Sequence, residues 1–303
     1  MSERPHPLAG WACASGVVLI WSGWVVISRL GVFQTLNSYD IMALRFGVAS
    51  LAVAPFVWRF WPRQLKWWQL LIIACGQGTP YLLFAFGGFQ FAPAAHAGII
   101  MNGFLPVLAA MIGWLWLKDR PGPWRTAGIA IIVAGCVLTS WDTATAGVGP
   151  DAWKGHLLFI AAAFMVALYM VATKAWELRP RQAMVVIPVI NLVAFLPVYA
   201  LFMPKGIYQA NWSEIAMQGL YQGLGPSVLA VLLFTTAVRT IGPSSTAAMM
   251  ALVPGMASLL AIPLLGETPS LLAVAGLIIV SAGIALAAGV RPRARAIASA
   301  QKD

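Results

Sequence analysis

The side chains best suited to bind or move a solute cluster around two glycine–proline breaks in the chain. The first break is Gly76-Gln77-Gly78-Thr79-Pro80, followed by Tyr81, and the second is Gly223-Leu224-Gly225-Pro226, preceded by Tyr221 and Gln222. Amide side chains donate and accept hydrogen bonds. Aromatic faces stack on apolar groups or hold an ammonium group by cation–π attraction worth about 0.5–2 kcal/mol. This pattern favours recognition of a small solute over covalent chemistry.

Further aromatic residues extend this set. Trp21 and Trp24 lie three residues apart, which puts them on one face of a helix, and Tyr169 follows Trp24 by 145 residues. The alternative for each ring is a position at the lipid interface, where tryptophan and tyrosine are enriched. We expect the polar and aromatic residues near the breaks to line a substrate cavity: Trp21, Trp24, Gln77, Tyr81, His96, Tyr169, Tyr221 and Gln222.

Two ionisable residues lie inside apolar stretches, where such residues are candidates for function. His96 can donate to a carboxylate or relay a proton, and it can equally bond a neighbouring carbonyl. For Arg45 we expect a structural role, as a tether to backbone carbonyls or to Asp40. All nine acidic residues lie in tails, loops or the ends of apolar stretches. We therefore expect either facilitated movement down a gradient or proton coupling through His96.

Motifs for cofactor, metal or nucleotide chemistry are missing from the sequence. Cys13, Cys75 and Cys136 lie within apolar stretches, and their odd number and positions indicate neither a disulfide framework nor a metal cluster. The sequence has no phosphate-binding glycine-rich lysine motif and no His-Glu-x-x-His zinc motif. We expect no cofactor, no metal site and no enzymatic activity.

The elements that must position these residues are transmembrane helices. Of the 303 residues, 60% are hydrophobic and 9% are charged, whereas soluble chains carry roughly 25% charged residues. In hydrocarbon every backbone amide must be paired internally, which predicts an all-α membrane protein. We number ten apolar segments from 1 to 10: 9–28, 39–61, 67–89, 94–117, 123–141, 154–175, 182–203, 213–238, 243–265 and 270–290.

The basic residues predict the orientation, because Lys and Arg are enriched in cytoplasmic loops. With the N-terminus inside, 15 of the 19 fall on the cytoplasmic side, 3 fall outside, and Arg45 lies within segment 2. Both termini are therefore expected in the cytoplasm. The net charge of +10 then reflects cytoplasmic loops and a basic tail near anionic lipid, and we expect no nucleic-acid partner.

The second half of the chain weakly repeats the first. Leu117-Lys118-Asp119-Arg120-Pro121 ends segment 4, and Leu265-Gly266-Glu267-Thr268-Pro269 ends segment 9, 148 residues later. Each half has an odd number of segments, so the halves must cross the membrane in opposite senses, as in many secondary transporters. We divide the chain into a first repeat, an outer linker, a second repeat and a basic cytoplasmic tail: 1–141, 142–153, 154–290 and 291–303.

Matched glycine and proline residues predict hinges at the centre of the membrane. The breaks in segments 3 and 8 begin about ten residues into each segment, or about 15 Å, which is mid-bilayer. Prolines in segments 4 and 9 lie at a similar depth. Irregular backbone is tolerated there only where it is buried in protein or lines a cavity. The expected hinge residues are Gly76, Gly78, Pro80, Pro106, Gly223, Gly225, Pro226 and Pro254.

The order and duplication of several motifs resemble the EamA-type ten-span exporters of the drug/metabolite transporter superfamily. The motifs are Trp21-Ser22-Gly23, Arg45-Phe46, the acid-x-Pro sequences after segments 4 and 9, and the glycine–isoleucine runs from Gly128 and Gly276. The resemblance implies a central cavity framed mainly by segments 1, 3, 4, 6, 8 and 9. The aromatic-rich first half is similar to the branch of aromatic and neutral amino-acid exporters.

These observations lead us to expect a secondary transporter in a bacterial inner membrane. It would export small metabolites, chiefly aromatic or neutral amino acids, by alternating access of its two halves. The alternatives are a carrier for other small organic solutes or drugs and a channel-like permease. Exchange of phosphorylated solutes would require Lys or Arg at mid-membrane in segments 4 and 9, and the sequence has none there. The expected partners are a small-molecule substrate and membrane lipid. The sequence leaves the oligomeric state open, and a monomer is compatible with this function.

Overall fold

The computed structural model describes residues 7–145 and 150–288, which form helices joined by short turns, with no strand among them. Nine of these helical stretches are long and apolar enough to cross a membrane, and the stretch in segment 10 is apolar but shorter. From segment 1 to segment 10, the helices are Pro7–Val32; Ser38–Val53 and Val57–Phe60; Trp67–Gln77 and Thr79–Phe91; Ala94–Leu117; Pro123–Thr145; Ala152–Ala175; Pro180–Phe202; Trp212–Leu224 and Ala230–Ile241; Pro243–Met250 and Val253–Leu265; Leu271–Ala287.

The two halves share one hydrophobic core. Its largest cluster joins Trp24 and Phe86 from the first half to Phe159, Phe195 and Ala257 from the second. The helices are apolar on most of their circumference, because the outward faces would meet lipid and the inward faces meet one another. The halves therefore do not form two separate bundles.

The repeated loops after segments 4 and 9 have the same local structure. Both helices end at a residue in the left-handed conformation, Lys118 with φ 58° and Gly266 with φ 67°. In each loop the next amide donates to a carbonyl six residues earlier: Asp119 to Gly113 and Glu267 to Ala261. The two helices therefore end in the same cap. It places the acidic side chain of each repeat at the same point after its helix.

Segments 5 and 10 pack closely because glycines face each other across the contact. A Cβ atom on Gly128 would lie 2.6 Å from the backbone nitrogen of Ala287 and 2.8 Å from the carbonyl oxygen of Gly283. A Cβ atom on Gly135 would lie 3.0 Å from the carbonyl oxygen of Gly276. Small residues allow two membrane helices to approach at backbone distance, which explains the glycine–isoleucine runs of both segments.

Several segments are interrupted near their centres. Segment 3 breaks at Gly78, segment 8 contains the π-helical turn Gly225–Leu229, and segment 9 breaks before Val253. Segment 4 departs from the sequence expectation, because its helix continues without interruption through Pro106. A proline removes one backbone donor, and the remaining bonds of this long helix preserve it.

Candidate functional site

The break in segment 3 is held open by an amide side chain from segment 7. The Thr79 N–H donates to Asn191 Oδ1 at 2.7 Å, and Asn191 Nδ2 donates to the Ala74 carbonyl at 3.0 Å. A Cβ atom on Gly78 would collide with the Asn191 amide, so only glycine allows this approach. One side chain thus satisfies the backbone groups that the break exposes, as membrane depth requires.

The break in segment 8 is bordered by a network of buried polar side chains. Gln222 accepts a hydrogen bond from Arg45 Nη1 at 3.3 Å, and its own amide donates to Ser28 Oγ at 3.1 Å and to Gln218 Oε1 at 3.3 Å. Gln218 in turn donates to the Ile27 carbonyl at 3.1 Å. The network links segments 1, 2 and 8. Arg45, for which we expected Asp40 or backbone carbonyls as partners, therefore bonds a neutral side chain.

Asp40 has other partners at the end of segment 2. Its carboxylate accepts hydrogen bonds from the Tyr199 hydroxyl at 2.5 Å, and from the backbone N–H groups of Asn37 and Gly206, both at 2.9 Å. Asp40 is fully buried. Its charge therefore fixes the adjoining ends of segments 2 and 7 and is not available to Arg45.

The motif Trp21-Ser22-Gly23 contacts the interrupted segments of the second half. Ser22 Oγ donates to the Val253 carbonyl at 3.0 Å, where segment 9 is broken. Gly23 leaves room for the Tyr221 hydroxyl, which donates to the Ile20 carbonyl at 2.8 Å. Trp21 stacks on Phe234 with ring centroids 5.7 Å apart. Trp21 and Tyr221 thus join segments 1 and 8.

Trp24 contacts different residues from those that Trp21 contacts. Its ring stacks on Tyr81 with centroids 5.6 Å apart and meets Phe89 edge-on at 6.2 Å. The indole nitrogen of Trp24 and the hydroxyl of Thr79 are buried polar atoms with no hydrogen-bond partner among the described residues. Thr79 begins the second helix of segment 3, and Trp24 contacts that helix through Tyr81.

A crevice lies between segments 2, 3, 6, 7 and 8. Three polar side chains border it, Arg45, Gln77 and Tyr169, and it is narrow, with a cavity volume of about 20 Å³. The remaining walls are mainly apolar: Phe46, Ala183, Met184, Ile187, Pro188 and Val231. A few polar groups among apolar walls are the usual lining of a small-molecule site, and this crevice must widen to admit a solute larger than water.

His96 lies apart from this crevice, in a pair with His156. Nδ1 of His96 and Nε2 of His156 are 3.2 Å apart, and both rings are buried between segments 4 and 6. One ring nitrogen must donate and the other accept, so at least one histidine is neutral in this arrangement. The pair contains two neighbouring groups that can exchange a proton. The described residues contain no cluster of three or more metal-ligating side chains.

Two ion pairs occupy equivalent positions of the two halves. Arg29 at the end of segment 1 pairs with Glu267 at 2.9 Å, and Lys174 at the end of segment 6 pairs with Asp119 at 2.8 Å. The basic members are 145 residues apart and the acidic members are 148 residues apart. Lys174 lowers the pKa of the exposed Asp119 carboxyl through its hydrogen bond and charge, so Asp119 stays ionised at neutral pH.

Both pairs connect the two halves, and the Arg29–Glu267 pair makes further contacts with the backbone. Glu267 Oε2 accepts from the backbone N–H of Ala94 at 2.8 Å, and Arg29 Nη1 donates to the Phe89 carbonyl. These contacts join segment 1 and the segment 9–10 loop to segments 3 and 4. The Lys174–Asp119 pair is solvent-exposed and joins segments 4 and 6, which also pack along their helices.

The structure thus brings the selected residues together in three groups rather than one cavity. Arg45, Gln77 and Tyr169 line the crevice, and Gln222 borders it through Arg45. Trp24 and Tyr81 form the aromatic pair. Trp21, Tyr221 and His96 lie in other contacts. The residues that sequence reasoning missed are Ser22, Arg29, His156, Asn191, Gln218 and Glu267, and the only signal for most of them was a polar residue in or beside an apolar helix.

Comparisons with known proteins identify the family of the chain. The model of the EamA-like transporter family matches residues 8–141 and again residues 153–289. A probable terminal-alkyne amino-acid exporter from Streptantibioticus cattleyicolor is 27% identical over 288 residues, which is 92% of either chain. A solved crystal structure has the same fold, with a TM-score of 0.64 at 20% identity over 92% of this chain and 96% of that one. The chain therefore belongs to the EamA-like transporter family, and it is a multi-pass integral membrane transport protein rather than an enzyme.

Proposed function

We propose that this protein exports amino acids, of the aromatic or neutral class, as a secondary transporter of the bacterial inner membrane. The observation that carries the proposal is the pair of unsatisfied buried groups at the break in segment 3, Trp24 Nε1 and Thr79 Oγ1, beside the stacked rings of Trp24 and Tyr81. The rings suit an apolar or aromatic side chain, and the polar groups suit an amino acid backbone. The relative that is named as an amino-acid exporter supports the same substrate class.

The proposed architecture has ten transmembrane helices in two inverted repeats, residues 1–141 and 154–290, with both termini in the cytoplasm. The uneven distribution of Lys and Arg supports the orientation. The matching left-handed caps at Lys118 and Gly266 support the repeat, because the same loop sequence ends the fourth helix of each half. Residues 146–149 of the linker and the whole basic tail fall outside the described residues.

The proposed mechanism is alternating access around the centre of segments 3 and 8. At the end of the molecule that the charge distribution assigns to the outside, Arg29 and Glu267 tie segments 1, 3, 4 and 9 together. Release of these contacts would open that end, while the breaks at Gly78 and Gly225 allow the helix halves to change angle. Trp24, Gln77, Tyr81, Tyr169 and Gln222 are the proposed substrate contacts, and Trp21, Tyr221 and His96 support them.

The test is counterflow in proteoliposomes with a panel of labelled amino acids, including phenylalanine, tyrosine, leucine and methionine. A carrier takes up label faster when preloaded with unlabelled substrate, whereas a channel does not. Tyr81→Ala should abolish the exchange, and Tyr208→Ala should leave it intact because Tyr208 is exposed outside the apolar segments. Label uptake without any preloading effect would contradict the carrier mechanism, and failure of every amino acid would contradict the substrate class.

A further inference from the structure

Arg45 is a buried cation within the apolar part of segment 2. Only 6% of its surface is exposed, and an arginine inside a membrane protein is costly unless its charge is compensated. Its one hydrogen bond among the described residues goes to Gln222, a neutral acceptor. Among residues 7–145 and 150–288, no carboxylate forms an ion pair with it within 4.0 Å. The positive charge is therefore uncompensated by any side chain that the structure describes.

A purely structural role does not account for this charge. Asn191 occupies nearly the same place in the second half, 146 residues after Arg45. Asn191 links segment 7 to segment 3 at the break in segment 3. Arg45 links segment 2 to segment 8 beside the break in segment 8. The neutral amide of Asn191 makes these bonds without introducing a charge into the membrane. An amide side chain at position 45 would form the same link between segments 2 and 8 without a charge.

The surroundings of Arg45 are those of a binding group. The guanidinium has five N–H donors, and only Nη1 makes a hydrogen bond among the described residues. Arg45 borders the narrow crevice together with Gln77 and Tyr169, while the other walls are mainly apolar. The chemistry of this lining suits a small molecule with one anionic end and one apolar end, and the crevice would have to widen to receive it.

We propose that the Arg45 guanidinium binds the carboxylate of the transported amino acid. The planar guanidinium offers two parallel N–H donors, a geometry that matches a carboxylate and that an ammonium group of lysine lacks. The carboxylate compensates the buried charge. Binding thus selects solutes that carry a carboxylate. This inference rests on the proposed function, since it names the contact by which that site recognises its substrate.

The first test compares acids with their neutral carboxamides on the wild-type protein. We expect phenylalanine, leucine and methionine to compete for counterflow at least about 10-fold better than phenylalaninamide, leucinamide and methioninamide, because the amides lack the anion. Equal competition by acids and amides would overturn the Arg45 assignment and leave amino-acid transport intact. Absence of exchange for every amino acid would overturn the proposed function and this inference with it.

The second test assigns the discrimination to Arg45. Arg45→Gln removes the charge but keeps an amide that can donate to Gln222, so the ratio of acid to amide competition should fall to near one. Arg45→Lys keeps the charge but loses the paired donors, so the ratio should be intermediate. Lys154→Gln changes an exposed cation away from the crevice and should preserve the wild-type ratio. A wild-type ratio in folded Arg45→Gln protein would overturn the assignment; if that variant does not fold, the acid–amide comparison on the wild type decides.

Discussion

Asn191 is the residue on which the backbone at the centre of segment 3 depends most directly. We expect Asn191→Ala to lower the free energy of unfolding by about 1–3 kcal/mol, because the Ala74 carbonyl and the Thr79 N–H would lose their buried partner. Thermal unfolding of purified protein in detergent measures the change. Asn102→Ala is the matched control, since within the described part of the chain the Asn102 side chain bonds one carbonyl, that of Gly98 in its own helix. Equal losses in the two variants would contradict this role of Asn191.

The histidine pair leads to a second prediction at the same scale. Two imidazole nitrogens 3.2 Å apart cannot both carry an added proton without strong repulsion, so the pair suits the transfer of one proton. If transport is coupled to protons through His96, a pH gradient should stimulate the wild-type protein and should no longer stimulate His96→Gln or His156→Gln. Exchange at equal pH should persist in both variants. Undiminished stimulation in the two variants would show that the pair takes no part in coupling.

The sequence predicted where the breaks and the polar residues beside them lie along the chain better than it predicted which residues they contact. The breaks were predictable because glycine and proline have specific backbone preferences, and Gln77 and Gln222 stood out as polar residues beside them. The partner of each break was not predictable, because Asn191 and Ser22 reach segments more than 100 residues away. The partner of Arg45 was missed for the same reason: the nearby Asp40 was considered, and the distant Gln222 was not.

The contact between segments 5 and 10 is the element-scale feature most sensitive to a single atom. Gly128→Ala would place its Cβ against the backbone of segment 10, which cannot rotate away as a side chain can. We expect a loss of about 1–3 kcal/mol from this overpacking, measured by thermal unfolding. Gly113→Ala is the control, because no atom lies within 4 Å of the added Cβ, and the better helix propensity of alanine should make it neutral or stabilising. A Gly128→Ala protein as stable as the control would mean that the helices can separate freely.

Helix positions were predictable to within a few residues, and helix continuity was not. Apolar length predicts a membrane helix, and the helices of segments 1 and 4, Pro7–Val32 and Ala94–Leu117, match the predicted 9–28 and 94–117 closely. Proline content did not distinguish Pro106, inside a continuous helix, from Pro254, just after a break. The two prolines differ in their place in the helix: Pro254 lies in the first turn of one, where its missing N–H breaks no helical hydrogen bond.

For the whole molecule, the sequence repeat was informative because equivalent loops fold alike. The spacing of 148 residues identified two loops that have the same cap and present an acid at the same point. The repeat did not indicate that each acid pairs with the basic residue at the end of the first helix of the other half: Glu267 with Arg29, and Asp119 with Lys174. That pairing depends on the packing of segment 1 with segment 9 and of segment 4 with segment 6.

The two ion pairs predict an asymmetry that a labelling experiment can measure. Glu267 holds both Arg29 and the Ala94 N–H, so Glu267→Gln should weaken the closure at the proposed outer end. A free-energy change of about 1–2 kcal/mol is about a 5- to 30-fold change in population. In protein lacking the native cysteines, a cysteine replacing the buried Ala97, one turn inside Ala94, should then react several-fold faster with an impermeant thiol reagent added outside intact cells.

Asp119→Asn is the control for this experiment, because the exposed pair that it removes does not connect to segment 1 or segment 9. Its labelling rate at position 97 should equal that of the unsubstituted background. If both variants accelerated labelling equally, the effect would be a general loosening of the bundle. If neither did, Glu267 would be a structural contact that persists through the transport cycle, and the opening of the outer end would have to occur elsewhere between the halves.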